Sequence, residues 1–231
     1  MDKHYDKYRY YKDLYFKLKG GHDTFEGDRG EIKKIFSGAG ILLLEWRNYQ
    51  LTVILFKSIR KNVEYYEDLG GKIDKKDFTS SYPLGATAKR EAFEESRGLI
   101  NIRDSLQLAG LQYIDIEANP EKFYRAHLFL IPENSISRKD YLENKKKIDN
   151  APHIPSFMKE TEDIKWFYLK DFDKKKDSMR DVEGTQFRIF PRTARIMEKL
   201  LNMKLDQPEL ENTSNILLLK SLYNFDKPIS K

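Results

Sequence analysis

Between Arg90 and Glu95 the chain places Glu91, Glu94 and Glu95 at relative positions i, i+3 and i+4, in a stretch whose alanines and leading proline read as helix. On a helix those three carboxylates share one face. Like charges at that spacing cost about a few tenths of a kcal/mol per pair, so the cluster calls for a compensating cation. A hard divalent ion suits oxygen donors of this kind. Pro83 supplies a first-turn start, and Ala88, Ala92 and Phe93 supply an inward face. Upstream, the run Val63–Leu69 leads directly into Gly70-Gly71 and then into the polar segment Lys76–Pro83. Strand, glycine pair, loop and acidic helix in that order predict an α/β domain with its chemistry at the glycine step.

These residues resemble the Nudix box, G-x5-E-x7-R-E-U-x-E-E-x-G-U with U aliphatic, at Gly71, Asp77, Arg90, Glu91, Ala92, Glu94, Glu95, Gly98 and Leu99. Two spacings depart from it. Twelve residues separate Asp77 from Arg90 where the pattern has seven, and two separate Glu95 from Gly98 where it has one. Both departures lie outside the Arg-Glu-x-x-Glu-Glu core. The first reads as a lengthened surface loop, which a chain tolerates cheaply. The second adds Arg97 before Gly98, which supplies a left-handed helix cap.

The resemblance implies a Nudix-like α/β/α sandwich around a mixed sheet. It also implies a metal-dependent pyrophosphohydrolase that cleaves a nucleoside diphosphate linked to another moiety. Glu91, Glu94, Glu95 and the Gly70 carbonyl are the implied ligands of Mg²⁺ or Mn²⁺, with Glu94 and Glu95 the implied catalytic acids. Gly71, Asp77, Arg90 and Gly98 take supporting roles. Asp77 is one methylene shorter than the usual glutamate, which leaves open whether it reaches Arg90 across the longer loop. Lys72 is either a substrate-phosphate contact or a solvated lysine. A general base is expected among the acids ahead of Trp166, with Glu162 or Asp163 preferred over Glu160. The four histidines show no ligand spacing and read as structural or exposed.

Absence of cysteine excludes disulfides and thiolate metal sites. No apolar run reaches the roughly 18 to 20 residues of a membrane span, and the N-terminus lacks an apolar signal core. A soluble intracellular protein, cytoplasmic or nuclear, is the expectation. Net charge is +5, but 42 basic residues stand against 37 acidic ones, so a polyanionic partner is only weakly indicated. The runs Lys145-Lys146-Lys147 and Lys174-Lys175-Lys176 read either as solvated faces or as phosphate-tracking patches. The expected partner is a phosphorylated nucleotide or an RNA 5′ end, which would make the chain a candidate for mRNA decapping. The competing reading is an inactive Nudix-fold module that binds nucleotide or RNA. Nothing in the sequence sets the oligomeric state.

Strands are expected at Ala39–Trp46, Leu51–Phe56, Val63–Leu69, Leu106–Ile116, Phe123–Ile131 and Ile164–Leu169. The first two read as a hairpin closed by Arg47-Asn48-Tyr49-Gln50. A short helix is expected near Lys139–Lys147 and another over Pro191–Met203. Three segments follow: an N-terminal helical extension over residues 1–36, whose tyrosine stripe either packs on the core or stacks on bases, the Nudix domain over 37–203, and a C-terminal helix over 204–231.

Overall fold

The longest apolar run of the chain becomes its central strand. In the computed structural model, which describes residues 25–27 and 34–203, β2 spans Lys34–Arg47 after the short β1 at Phe25–Gly27. Its side chains alternate between two covered faces, Ile41 and Leu43 in one apolar cluster, Leu42 and Leu44 in the other. Burial on both faces is why the run is uninterrupted rather than alternating.

A tight turn at Asn48-Tyr49, both with positive φ, joins β2 to β3 (Gln50–Arg60) as the expected hairpin. The following run divides into β4 (Val63–Glu67), antiparallel to β3, and β5 (Leu69–Lys72), antiparallel to β2. The chain therefore steps from one strand to another at Asp68. Strands β6 (Tyr113–Asn119) and β7 (Lys122–Ile131) form a hairpin whose second strand runs parallel to β2, and β8 (Thr161–Tyr168) lies antiparallel to β3. The sheet is mixed. A separate two-stranded ribbon, β9 (Ser178–Arg180) with β10 (Gln186–Arg188), follows.

Helix α1 (Pro83–Glu95) packs Leu84, Ala88 and Ala92 on the Ile41/Leu43 face, where Tyr141 of α2 (Arg138–Asp149) also lies. Helix α3 (Pro191–Asn202) packs Ala194, Ile196, Met197 and Leu200 on the Leu42/Leu44 face. This is an α/β/α sandwich with a mixed sheet, the class expected. One boundary needs correction: Ser105–Gly110 is a 3-10 turn rather than the start of a strand, because the Asp104 carboxylate accepts from the Leu106 amide at 2.9 Å and bends the chain. Strand β2 begins at Lys34, ahead of the expected boundary at 37. The expected helices over residues 5–18 and 209–223 lie outside the described residues.

Candidate active site

Gly70 and Gly71 face opposite sides of the sheet, and each leaves room for a specific side chain. A Cβ on Gly71 would sit 2.4 Å from a Glu91 carboxylate oxygen, and one on Gly70 would sit 1.9 Å from the Tyr124 hydroxyl. Real Cβ contacts do not approach so closely. The glycine pair is therefore a step in β5 against which acids of α1 close on one side and a polar cluster on the other.

On the α1 side Arg90 organises the acids. Its Nη1 donates to Glu91 Oε1 at 2.6 Å and to Glu94 Oε2 at 3.2 Å, while Nε and Nη2 donate to the two Asp77 oxygens at 3.2 and 2.9 Å. Nη2 also donates to the Lys72 carbonyl at 3.0 Å, and the Lys72 side chain itself is exposed. The lengthened loop is thus not slack. Asp74 caps a 3-10 turn over Lys75–Thr79, and the buried Asp77 carboxylate accepts from the Asp74 amide and from the Thr87 hydroxyl, each at 2.9 Å. That turn carries the shorter acid to Arg90. Burial opposes the charge of Arg90, but the Asp77 hydrogen bond and the charges of Glu91 and Asp77 outweigh it and hold the guanidinium firmly protonated.

Burial raises the Glu91 carboxyl above the usual range. Arg90 pulls it back, and the like charges of Glu94 and Glu160 push it up further. Glu95 is fully buried, its Oε2 accepting from the Gly70 amide at 2.6 Å. Burial and then Glu67 raise its carboxyl well above the usual range, against the pull of Arg192. Among the described residues no three such side chains close on a single point, since Arg90 stands between Glu91 and Glu94 while Glu95 turns toward Gly70. The donor set is all oxygen and crowded with like charge. Such a set fits a hard divalent ion better than zinc.

On the other side of the step lies a residue that local spacing did not single out. Arg192 Nη1 donates to the Gly70 carbonyl at 2.9 Å, Nε to Asp68 Oδ1 at 3.2 Å, and Nη2 to Glu67 Oε2 at 3.3 Å and the Asp68 carbonyl at 3.2 Å. The guanidinium also lies over the Tyr124 ring, 4.7 Å from its centroid, and the Tyr124 hydroxyl donates to Asp68 Oδ2 at 2.6 Å. Thr193, beside it on α3, donates to Asp68 Oδ1 and accepts from the Asp68 amide. The Pro191 start of α3 was legible; its contact with Gly70, 122 residues earlier, was not.

At the helix exit the extra residue is built in. Arg97 has φ +56° and Gly98 φ +74°, and the Gly98 amide donates to the Phe93 carbonyl at 2.8 Å. The Arg97 side chain is buried, donating through Nε and Nη2 to the Thr161 carbonyl and through Nη1 to Asp149 at 2.6 Å. The Thr161 hydroxyl donates in turn to the Glu95 carbonyl. The end of α1 is pinned to β8 and α2.

Glu162 and Asp163 sit on β8, where Lys145 reaches Glu162 at 3.0 Å and Arg138 reaches Asp163 at 2.7 and 3.0 Å. The acid of this group whose charge reaches Glu91 is Glu160. The lysine runs behave in part as solvated faces: Lys145 also pairs with Asp149, Lys174 with Glu198 and Lys176 with Asp173. His127 is structural, its ring held by the Tyr82 hydroxyl at 2.7 Å and the Gly40 carbonyl at 3.1 Å. None of the described helices is long and apolar enough to cross a membrane.

Neither a protein-family model nor a curated protein sequence matches the chain. Among solved structures it is similar to the Nudix domain of Shewanella oneidensis NrtR complexed with ADP ribose, at 15% identity over 76% of this chain and 92% of that one, TM-score 0.41. It is also similar to a Caenorhabditis elegans Ap4A hydrolase (C. elegans; 14% identity, 71% of this chain and 94% of that one, TM-score 0.40). A Nudix hydrolase from Alicyclobacillus acidocaldarius stands alike, at 13% identity over 74% and 93%, TM-score 0.42. The structures and the sequence motif name the same family.

Proposed function

We propose that this chain is a Nudix-type, metal-dependent pyrophosphohydrolase that cleaves a nucleoside diphosphate linked to another moiety. The observation that carries the reading is the joining of Glu91 and Glu94 by Arg90 on one face of α1, against a strand position that only glycine leaves open. Mg²⁺ or Mn²⁺ would be held by Glu91, Glu94, Glu95 and the Gly70 carbonyl, and would supply neutralisation of phosphate charge and activation of water. The chain's own residues do the positioning. Arg90, anchored on Asp77, fixes the spacing of Glu91 and Glu94, and the Gly70 amide fixes Glu95. Exposed Lys72, next to the glycines, is placed for a substrate phosphate. The base is sought among Glu160, Glu162 and Asp163, Glu160 joining the other two because its charge reaches Glu91 while theirs are tied to α2.

An RNA 5′ cap is the largest substrate of this class. Each phosphate contact along an RNA steepens the salt dependence of binding, whereas a free nucleotide gives a shallow one. The second reading, an inactive binding module, draws on one observation: Arg90 and Arg192 already neutralise acids and occupy the Gly70 carbonyl. Incubation with Mg²⁺ or Mn²⁺ and capped RNA, dinucleoside polyphosphates, ADP-ribose and NADH, read by mass spectrometry, decides between them. Cleavage at an anhydride bond is expected. No product from any substrate would overturn the enzyme reading and leave the module.

A further inference from the structure

Arg192 is the second cation of this site, and it comes from the opposite side of the sheet. Four hydrogen bonds fix its guanidinium on Gly70, Asp68 and Glu67, and aromatic rings of Tyr124 and Phe190 lie at 4.7 and 5.6 Å. Its side chain is only 15% exposed, so it offers little to a substrate. What it does touch is the carbonyl of the residue whose amide holds Glu95. Anything bound at Glu91, Glu94 and Glu95 therefore shares an acidic environment and a backbone carbonyl with a fixed positive charge.

We propose that Arg192 is a built-in competitor for the divalent ion: it lowers the ion affinity of the α1 acids by occupying the Gly70 carbonyl and part of the surrounding negative charge. This deepens the hydrolase reading and rests on it. Two cations on one carbonyl repel, and at separations of a few ångströms a unit charge opposes a divalent ion enough to change its affinity roughly tenfold or more. The network also explains why the arginine stays. Glu67 and Asp68 are buried and would be left without their cation if it were removed.

The test is Mn²⁺ binding, followed by electron paramagnetic resonance and calorimetry without substrate, on the full chain and on Arg192→Gln, Arg192→Lys and Glu91→Gln. Arg192→Gln keeps a hydrogen-bond donor without the charge, and Mn²⁺ affinity is expected to rise roughly tenfold. Arg192→Lys keeps the charge and should stay near the parent. Unchanged or weaker binding in a folded Arg192→Gln, checked by circular dichroism, would overturn the inference and leave Arg192 a scaffold. Should Arg192→Gln not fold, the Arg192 Nε–Hε resonance of the parent chain decides: Mg²⁺ shifts it if the ion shares the carbonyl, and an unmoved signal on Mg²⁺ binding overturns the proposal. A parent that binds no Mn²⁺ sensitive to Glu91→Gln sinks the hydrolase reading itself, a result separable from failure of the Arg192 arm alone.

Discussion

The two sides of the glycine step use the same ingredients to opposite ends. Toward α1, Arg90 joins Asp77, Glu91 and Glu94, and Glu91 and Glu94 keep 14% and 13% of their side-chain surface in solvent. Toward α3, Arg192 joins Glu67 and Asp68, and both acids are buried. An arginine that ties acids at the surface leaves them within reach of a ligand. One that ties buried acids is consumed by them, because taking either partner away strands a charge in low dielectric. The difference assigns chemistry to one side and rigidity to the other.

Substitution can break that division. The largest effect is expected at Glu94→Gln, which keeps the shape and removes the charge: turnover should fall by about a hundredfold or more, the rate equivalent of a few kcal/mol of charge stabilisation, with the melting temperature unchanged. Parent-like rates would remove Glu94 from the ion-binding set. The neighbouring glycines then separate the sides directly. In Gly70→Ala the new methyl meets the Tyr124 hydroxyl and, at 2.7 Å, the Gly40 backbone, which does not yield, so denaturant unfolding should show a loss of about 3 kcal/mol. In Gly71→Ala it meets only the far end of the flexible Glu91 side chain. Stability should change little while turnover falls roughly ten- to hundredfold from the displaced carboxylate. A Gly71→Ala protein that unfolds and stays fully active per folded molecule would reverse the assignment.

What the sequence disclosed follows the same division. The α1 side is local: Glu91, Glu94 and Arg90 lie within one helical turn, so helical spacing alone places them together. Strand alternation likewise exposed the two covered faces of β2. The other side is assembled by topology, from β4, β7 and α3, and no spacing rule connects Arg192 to Gly70 across 122 residues. Loop geometry was hidden for a different reason. The segment after Lys75 is polar and proline-terminated, which marks a loop, but only the Asp74 cap turns it so that Asp77 meets Arg90. The choice of Glu162 and Asp163 as base suffered from the same blindness, since the partners that hold them, Lys145 and Arg138, belong to a helix read as a solvated face.

The helix exit and the interior between the sides sharpen the comparison further. Arg97→Met removes the donors to the Thr161 carbonyl and Asp149 and leaves a long side chain at φ +56°, so a loss of about 2 to 3 kcal/mol is expected from thermal or urea unfolding. An unaltered melting temperature would show that the extra residue in the box does not hold α1 in place. His127 gives the smallest effect and tests charge where neither side has a place for it. It is fully buried on the α1 face, and burial, against the Gly40 hydrogen bond, lowers its pKa to about 4. The unfolded chain takes up this proton below its ordinary value near 6.5, while the fold refuses it until about pH 4. The stabilising contribution is therefore complete above pH 6.5 and is lost as pH falls from there toward 4. Between pH 7 and pH 5 the loss is about 2 kcal/mol. His127→Gln, which has no proton to bind, should flatten the stability curve in that window, and an identical acid slope in both proteins would place the sensitivity elsewhere.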